Sequence, residues 1–191
     1  MSVIVIGFIT LDGFVSDPDG SEGTPGGGWM FSFGPEQVSG DKFRLGPVLD
    51  DGVMLLGRKT WQLFSKIWPG RDDPFSTRMN KVPKLVVSRT LTDTSDWANS
   101  EIAADPVEVV RHEQRDVIIT GSLSVVHPLI AAGLVDEYRL ITFPTLLGTG
   151  ERLFPAGEPA AQLECLTAEQ SGGHVFARYA KAAGRGGIMG G

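Results

Sequence analysis

Short apolar stretches rich in β-branched residues punctuate the chain at positions 3–9, 53–56, 84–87, 117–119 and 138–143. Continuous apolar runs of this length are the signature of strands buried on both faces. Helix-like segments separate them, so the pattern predicts an α/β sheet covered on both sides. Two further strands, 163–168 and 174–179, are joined through Ser171-Gly172-Gly173, a short glycine-bearing connection that favours an antiparallel hairpin at the end of the chain.

The clearest helix spans 122–132, with Leu123, Val126 and Ile130 on one face, Leu129 beside them and Gly133 as its stop. A second starts near Arg58 and carries Trp61 and Phe64 three residues apart. Asp73-Pro74 and Asp105-Pro106 each read as an N-cap followed by proline in the first turn. The stretch 36–49 is a weaker helix, because its apolar spacing is irregular and Gly40 and Gly46 interrupt it. Residues 17–34 hold six glycines interleaved with Trp29, Phe31 and Phe33, which describes either a lid over a site or a surface insert. The glycine-rich end, 183–191, has no packing pattern and reads as a flexible tail behind a single domain at 1–182.

At 191 residues and 41% hydrophobic composition the chain is long enough for one compact core. Its formal net charge of −6, with no Lys/Arg block, argues against nucleic acid as a partner. The single cysteine, Cys165, excludes an internal disulfide and a Cys-rich zinc site. Without a basic signal-peptide region or an apolar run of about 18–20 residues, the expectation is a cytoplasmic protein with no membrane contact.

Several chemistries lack their spacing. Gly148-Thr149-Gly150-Glu151-Arg152-Leu153 has leucine where a dinucleotide fingerprint needs its third glycine, and the segment 52–60 contains a strand where a P-loop would cradle phosphate. His112, His127 and His174 form no metal motif, and neither Ser122 nor Ser124 sits in a nucleophile elbow. No metal site is therefore expected.

Three strand ends carry what remains. Gly57-Arg58-Lys59-Thr60 turns from a strand into a helix with two cations and a hydroxyl, Ser88-Arg89 ends another strand, and Thr120-Gly121-Ser122-Leu123 repeats the strand, glycine, hydroxyl, helix order. Free amides at a helix start and a guanidinium both suit phosphate. A single such junction is equally a tight turn with a solvated arginine. Three at successive strand ends point to a nucleotide, because open α/β sheets bind ligands along that edge.

In order, Gly57-Arg58-Lys59-Thr60-Trp61, Lys84-Leu85-Val86-Val87-Ser88-Arg89 and Ile118-Ile119-Thr120-Gly121-Ser122 resemble the NADPH-binding half of the dihydrofolate reductase superfamily. Gly133-Leu134-Val135-Asp136-Glu137-Tyr138-Arg139-Leu140, with Pro144-Thr145-Leu146-Leu147-Gly148-Thr149-Gly150 and Leu153-Phe154, resembles still more the reductase domain of riboflavin biosynthesis. Thr10-Leu11-Asp12-Gly13-Phe14-Val15 resembles the first strand end of the same superfamily, so the likeness extends over nearly all of 2–181.

The resemblance implies a dihydrofolate reductase-like three-layer αβα fold, with a mixed, mainly parallel sheet and a C-terminal antiparallel hairpin. It implies an NADPH-dependent oxidoreductase, like dihydrofolate reductase or 5-amino-6-(5-phosphoribosylamino)uracil reductase, that transfers a hydride to a small heterocyclic or carbonyl/imine substrate. Gly57, Arg58 and Thr60 would hold the NADPH phosphates, and Ser88 and Arg89 the 2′-phosphate. Thr120, Gly121, Ser122 and Leu123 would lie along the pyrophosphate and nicotinamide ribose. Thr142 corresponds to a pterin-side threonine, with Thr10, Asp12, Trp29 and Phe33 placed to line the substrate pocket. Asp12 is equally a turn residue before Gly13, and the two aromatics are equally packing residues. Between Glu36, Asp41 and no residue at all, nothing selects a pterin-binding acid, and no catalytic residue is singled out. A homodimer is also implied, involving 143–147, although an interior strand end explains that segment as well. The competing reading is a nucleotide-binding module that keeps the fold without turnover.

Overall fold

The computed structural model describes residues 1–157 and 159–182. The elements follow in the order β1 (Val3–Thr10), α1 (Pro47–Asp51), β2 (Val53–Gly57), α2 (Arg58–Phe64), α3 (Pro74–Lys81), β3 (Lys84–Val87), β4 (Ser100–Ala103), α4 (Pro106–His112), β5 (Val117–Ile119), α5 (Leu123–Ala131), β6 (Glu137–Phe143), β7 (Leu163–Ser171) and β8 (His174–Lys181). They form one eight-stranded sheet in the spatial order β4-β3-β2-β5-β1-β6-β8-β7. The first six strands in that order are parallel, and β8 and β7 add on antiparallel. Gly172-Gly173 makes the turn between them, with Ser171 paired to His174. No helix among the described residues is long and apolar enough to cross a membrane.

The continuous apolar runs follow from burial on both sides. Every residue of β2 and β5 is buried. Val53 and Leu55 pack towards α4 and α5 through Val110, Val126 and Leu129, whereas Met54 and Leu56 pack towards α1, α2 and α3 through Leu49, Trp61 and Met79. Each such side chain removed from water contributes about 1.5–3 kcal/mol. The two Asp-Pro helix starts form as their sequence dictates: Asp73 accepts from the amides of Phe75 and Ser76 at 3.1 Å each, and Asp105 from Val107 and Glu108 at 2.8 and 3.0 Å.

Two expectations change, and a third is not described. The helix expected across 36–49 is a short 3-10 turn, Pro35–Gln37, and the five-residue α1. Positive φ at Gly40, Arg44 and Gly46 breaks any helix between them, and the Asp41 carboxylate instead accepts from the amides of Leu45 and Gly46 at 2.7 and 2.9 Å. The unexpected strand β4 carries no apolar run, because it is an edge strand paired only with β3 and leaves Glu101 and Ile102 exposed. The tail at 183–191 lies outside the described residues.

Residues 17–34 form an organised loop. Asp17 is only 4% exposed, and its carboxylate accepts from the Glu22 amide at 2.9 Å and from the Thr24 amide and hydroxyl at 2.8 Å each. Burial alone would raise its pKa, but these three donors outweigh it and the value is lowered. A Cβ on Gly27 would collide with that carboxylate, which fixes glycine there. Trp29 is buried, donates its indole N–H to the Ser16 carbonyl at 2.9 Å, and meets Phe143 edge-on.

Candidate functional site

The carboxyl ends of β2 and β5 lie side by side, and the glycines after them let the two chains touch. The Gly57 amide donates to the Gly121 carbonyl at 3.0 Å. A Cβ built on Gly57 would lie 2.1 Å from Ser122 Oγ and 2.9 Å from the Ser122 amide nitrogen. Gly121, at φ +124 and joined to Ser122 by a cis peptide bond, approaches the Thr60 hydroxyl, so Thr60, Gly57, Gly121 and Ser122 form one seam. The Thr120 hydroxyl is buried beside this seam without a hydrogen-bond partner among the described residues.

Ser122 occupies the N-cap position of α5, but its side chain caps nothing and pairs with Ser124 Oγ at 2.7 Å. The Leu123 and Ser124 amides carry no hydrogen bond among the described residues, the condition in which a helix start receives an anion. Arg58 and Arg89 flank the seam from the ends of β2 and β3. Both are exposed, and neither makes an ion pair or hydrogen bond among the described residues. Lys59 does, reaching Glu22 at 3.5 Å from the glycine-rich loop. Ser88 is committed locally, because its hydroxyl oxygen accepts from the amides of Thr90 and Leu91 at 3.1 and 2.9 Å.

On the other side of β5 its neighbour β1 runs on beyond it. β1 pairs with β5 only over Val3–Val5, where β5 ends at Ile119, but with β6 from Ile4 to Thr10. Gly7 lies just beyond that end, and a Cβ there would meet nothing within 4 Å. Gly7 was absent from the sequence candidates, although a glycine inside the run Val3-Ile4-Val5-Ile6-Gly7-Phe8 is the usual mark of a close backbone approach. The tip of the 17–34 loop crosses the same end of the sheet: Trp29 is anchored beside β6 while Glu22 reaches α2 next to β2.

A family model described as the RibD C-terminal domain matches residues 1–177. The chain belongs to that family. It is 30% identical over 110 residues to the uncharacterized protein YyaP of Bacillus subtilis (strain 168), a match covering 53% of this chain and spanning 58% of that relative. A Shewanella sp. PV-4 protein named for riboflavin biosynthesis has the same fold, with 21% identity, a TM-score of 0.69, and coverage of 95% of this chain and 99% of its own. So has a pyrimidine reductase-like protein from Corynebacterium diphtheriae, at 12% identity, a TM-score of 0.59, and coverage of 94% and 91%.

In this RibD C-terminal domain Gly57, Thr60, Gly121 and Ser122 come together in the seam, whereas Thr10, Asp12, Trp29, Phe33 and Thr142 do not form one pocket. Asp12 is a clamp: its carboxylate accepts from Thr10 Oγ1 at 2.6 Å and from the amides of Leu147 and Gly148 at 3.2 and 2.8 Å. The Thr10 hydroxyl leads the donors that hold the Asp12 carboxyl down at about 2. Thr10 itself is buried, accepting from the Phe14 amide. Trp29 and Phe33 pack against Phe143, which in turn meets Phe8 and His174, so these rings fill the face where a pocket was expected. His174 is 3% exposed, and burial, aided by the charge of Lys42, lowers its pKa. Thr142 faces the other way and lines a cleft of about 380 Å³ with Leu11, Pro144 and Val175. Of the two acids considered for a pterin, Asp41 is spent on its own turn and Glu36 is exposed. Within 143–147, Phe143 is buried and Leu146 is 75% exposed.

Proposed function

We propose that this RibD C-terminal domain is an NADPH-dependent reductase that delivers a hydride to a small heterocyclic or carbonyl/imine substrate. The observation that carries the reading is the glycine seam between Gly57 and Gly121-Ser122, with uncommitted Arg58 and Arg89 on its flank. The family is generally NADPH-linked, and the donor set suits that cofactor. The orphaned Thr120 hydroxyl and the unclaimed amides of Leu123 and Ser124 are donors that a pyrophosphate and ribose would satisfy. Arg58 and Thr60 would hold phosphate oxygens, and Arg89 a 2′-phosphate through paired N–H donors. Since the Ser88 hydroxyl oxygen is already an acceptor for two amides, its contribution would be its own O–H.

NADPH, when bound, supplies the hydride. The chain's part would be positional: the seam would fix the phosphates, and the open backbone at Gly7, beyond the end of β5, would leave room for a ring. The aromatic cluster around Phe143 excludes water from the neighbouring face. The unit that does this runs through residues 1–182.

A second reading, a nucleotide-binding module without turnover, draws on that same cluster, because Trp29 and Phe33 occupy the face a substrate would need. Calorimetric titration with NADPH, NADP⁺ and NADH tests the cofactor claim. Arg89→Ala is expected to weaken NADPH binding by about 1.5–3 kcal/mol, roughly 10–150-fold, and to leave NADH nearly unchanged. Equal loss for both dinucleotides, or no binding at millimolar NADPH, overturns the assignment. Selective binding without NADPH oxidation across a panel of pyrimidine, dihydrofolate and imine substrates favours the module.

A further inference from the structure

His174 opens β8 and is 3% exposed, yet its Nδ1 is buried without a hydrogen-bond partner among the described residues. Its neighbours are rings. Phe143 lies 5.3 Å from it at a tilt of 41°, and Phe143 in turn meets Phe33 at 5.7 Å. Trp29, Phe8 and Phe176 belong to the same cluster. A phenylalanine at 174 would fill such a place without stranding a polar atom, and a buried unpaired nitrogen is a net cost to the fold. Structures keep few such atoms, and those they keep commonly serve a ligand or a bound water. A water there would need about two to four polar partners, whereas the cluster around the imidazole is aromatic.

Phe33 is loosely held. Trp29 and Phe143 are buried, but Phe33 is half-buried, and its backbone makes no hydrogen bond among the described residues. Gly34 follows it at φ +98, a conformation that glycine adopts readily. Against the ring lies Gly173, where a Cβ would stand 2.7 Å from Phe33 Cδ1, so the glycine next to His174 is what admits a ring at this point. Phe143, Gly173 and His174 also line the cleft of about 380 Å³, so the place that Phe33 fills adjoins open space.

We propose that Phe33 occupies a ring-binding site and gives way to a neutral, flat lactam heterocycle, which lies against Phe143 and Gly173 and hydrogen-bonds His174 Nδ1. The surroundings select this class of ligand. Aromatic walls and bare backbone suit a flat ring the size of phenylalanine's own. The cluster holds no carboxylate or guanidinium to receive a charged ring, and burial, aided by the charge of Lys42, favours the neutral imidazole. A nitrogen of neutral imidazole donates or accepts according to tautomer, and a lactam edge, with N–H beside C=O, answers either. Exchange of one ring for the other keeps the apolar contacts and adds the bond that Phe33 cannot make. The site stands without the reductase reading.

The test uses the full chain with 2-pyridone, a six-membered lactam, and benzene as the ring without the lactam edge. Nuclear magnetic resonance reads the His174 imidazole, with His112 on α4 and His127 on α5 as controls. 2-Pyridone is expected to shift His174 saturably and to leave the controls in place. Phe33→Ala is expected to bind it at least about tenfold tighter, because no ring has to be displaced. Phe33→Leu gives the same order if the alanine variant fails to fold. His174→Phe is expected to match or exceed wild type in urea unfolding and to lose 2-pyridone affinity at least about tenfold. No shift of His174 in wild type overturns the proposal, even where Phe33→Ala binds. Equal affinity of Phe33→Ala for benzene and 2-pyridone also overturns it, since the place is then a cavity without recognition. So does a His174→Phe protein that is less stable and binds 2-pyridone unchanged, which makes the imidazole a packing residue. Absence of NADPH binding in a parallel titration strikes the reductase reading alone.

Discussion

A methyl group added at Gly57 would stand 2.1 Å from the Ser122 hydroxyl oxygen, 3.1 Å from its Cβ and 2.9 Å from its amide nitrogen. The hydroxyl can rotate away, but the backbone nitrogen cannot. Gly57 has φ −74 and ψ 154, extended backbone that alanine adopts freely, so the cost of Gly57→Ala is purely that of forcing the seam apart. Overpacking of this kind costs about 1–3 kcal/mol, offset by about 0.4–1 kcal/mol from the stiffer unfolded chain. The expected net loss is about 1–2 kcal/mol, a fall of roughly 2–8 °C in Tm for a domain of this size. Because the same seam would hold the phosphates, NADPH affinity should fall by about tenfold or more. Gly57→Ala combined with Ser122→Gly removes two of the three contacts and should recover about half of the stability. Urea unfolding and calorimetric titration read the two effects separately. A Gly57→Ala protein within about 0.5 kcal/mol of wild type, with unchanged NADPH affinity, would refute the claim that this contact shapes the site.

Trp29→Ala removes a buried indole and its contact with Phe143, and should cost about 3–5 kcal/mol in urea unfolding if the ring is core; a loss below about 1 kcal/mol would make it a loosely held lid residue. Asp17→Asn keeps the shape but loses acceptor capacity, and should cost about 1–3 kcal/mol and admit protease cleavage within 18–28. Because the folded value of Asp17 lies below the unfolded one, its contribution is present above about pH 4 and fades as pH falls through the folded value, so the wild-type and Asp17→Asn stabilities should converge in acid. Lys84, buried with its ammonium donating to the carbonyls of Asn80, Val82 and Ala98, is lowered by burial to about 8 from 10.5. Between those values the unfolded chain binds the extra proton, so stability should rise with pH across that window, by about 2–3 kcal/mol at most. Lys84→Met should flatten that rise, and an unchanged slope would refute the shift.

Legibility in the sequence followed burial. β2, β3 and β5 announce themselves because both faces are covered, and Asp73-Pro74 and Asp105-Pro106 because a cap and a proline act locally. β4 escaped notice because an edge strand with exposed Glu101 and Ile102 needs no apolar run. The weak helix across 36–49 failed where backbone at positive φ and the Asp41 turn overrode composition. The seam was readable as glycines at strand ends, since close backbone approach needs glycine. The surroundings of Trp29, Phe33 and Thr142 were not readable, because the face on which each lies depends on pleat and on loop path, and neither leaves a local mark.

Three loop carboxylates bear on what the domain can recognise. Asp12 is committed to Thr10 and the Leu147 and Gly148 amides, Asp17 to Glu22 and Thr24, and Asp41 to Leu45 and Gly46. Each holds a loop by accepting backbone amides, and two of them, Asp12 and Asp17, are held below the ordinary carboxylate range by those same donors. A carboxylate so held is a poor proton donor near neutrality and has little capacity left for a cationic or amidine-like ring. Thr142 and its cleft offer a hydroxyl among apolar walls instead. In the proposed reductase, a site furnished in this way would discriminate by ring shape and by a single neutral hydrogen bond, and the proton that follows a hydride would not come from Asp12, Asp17 or Asp41.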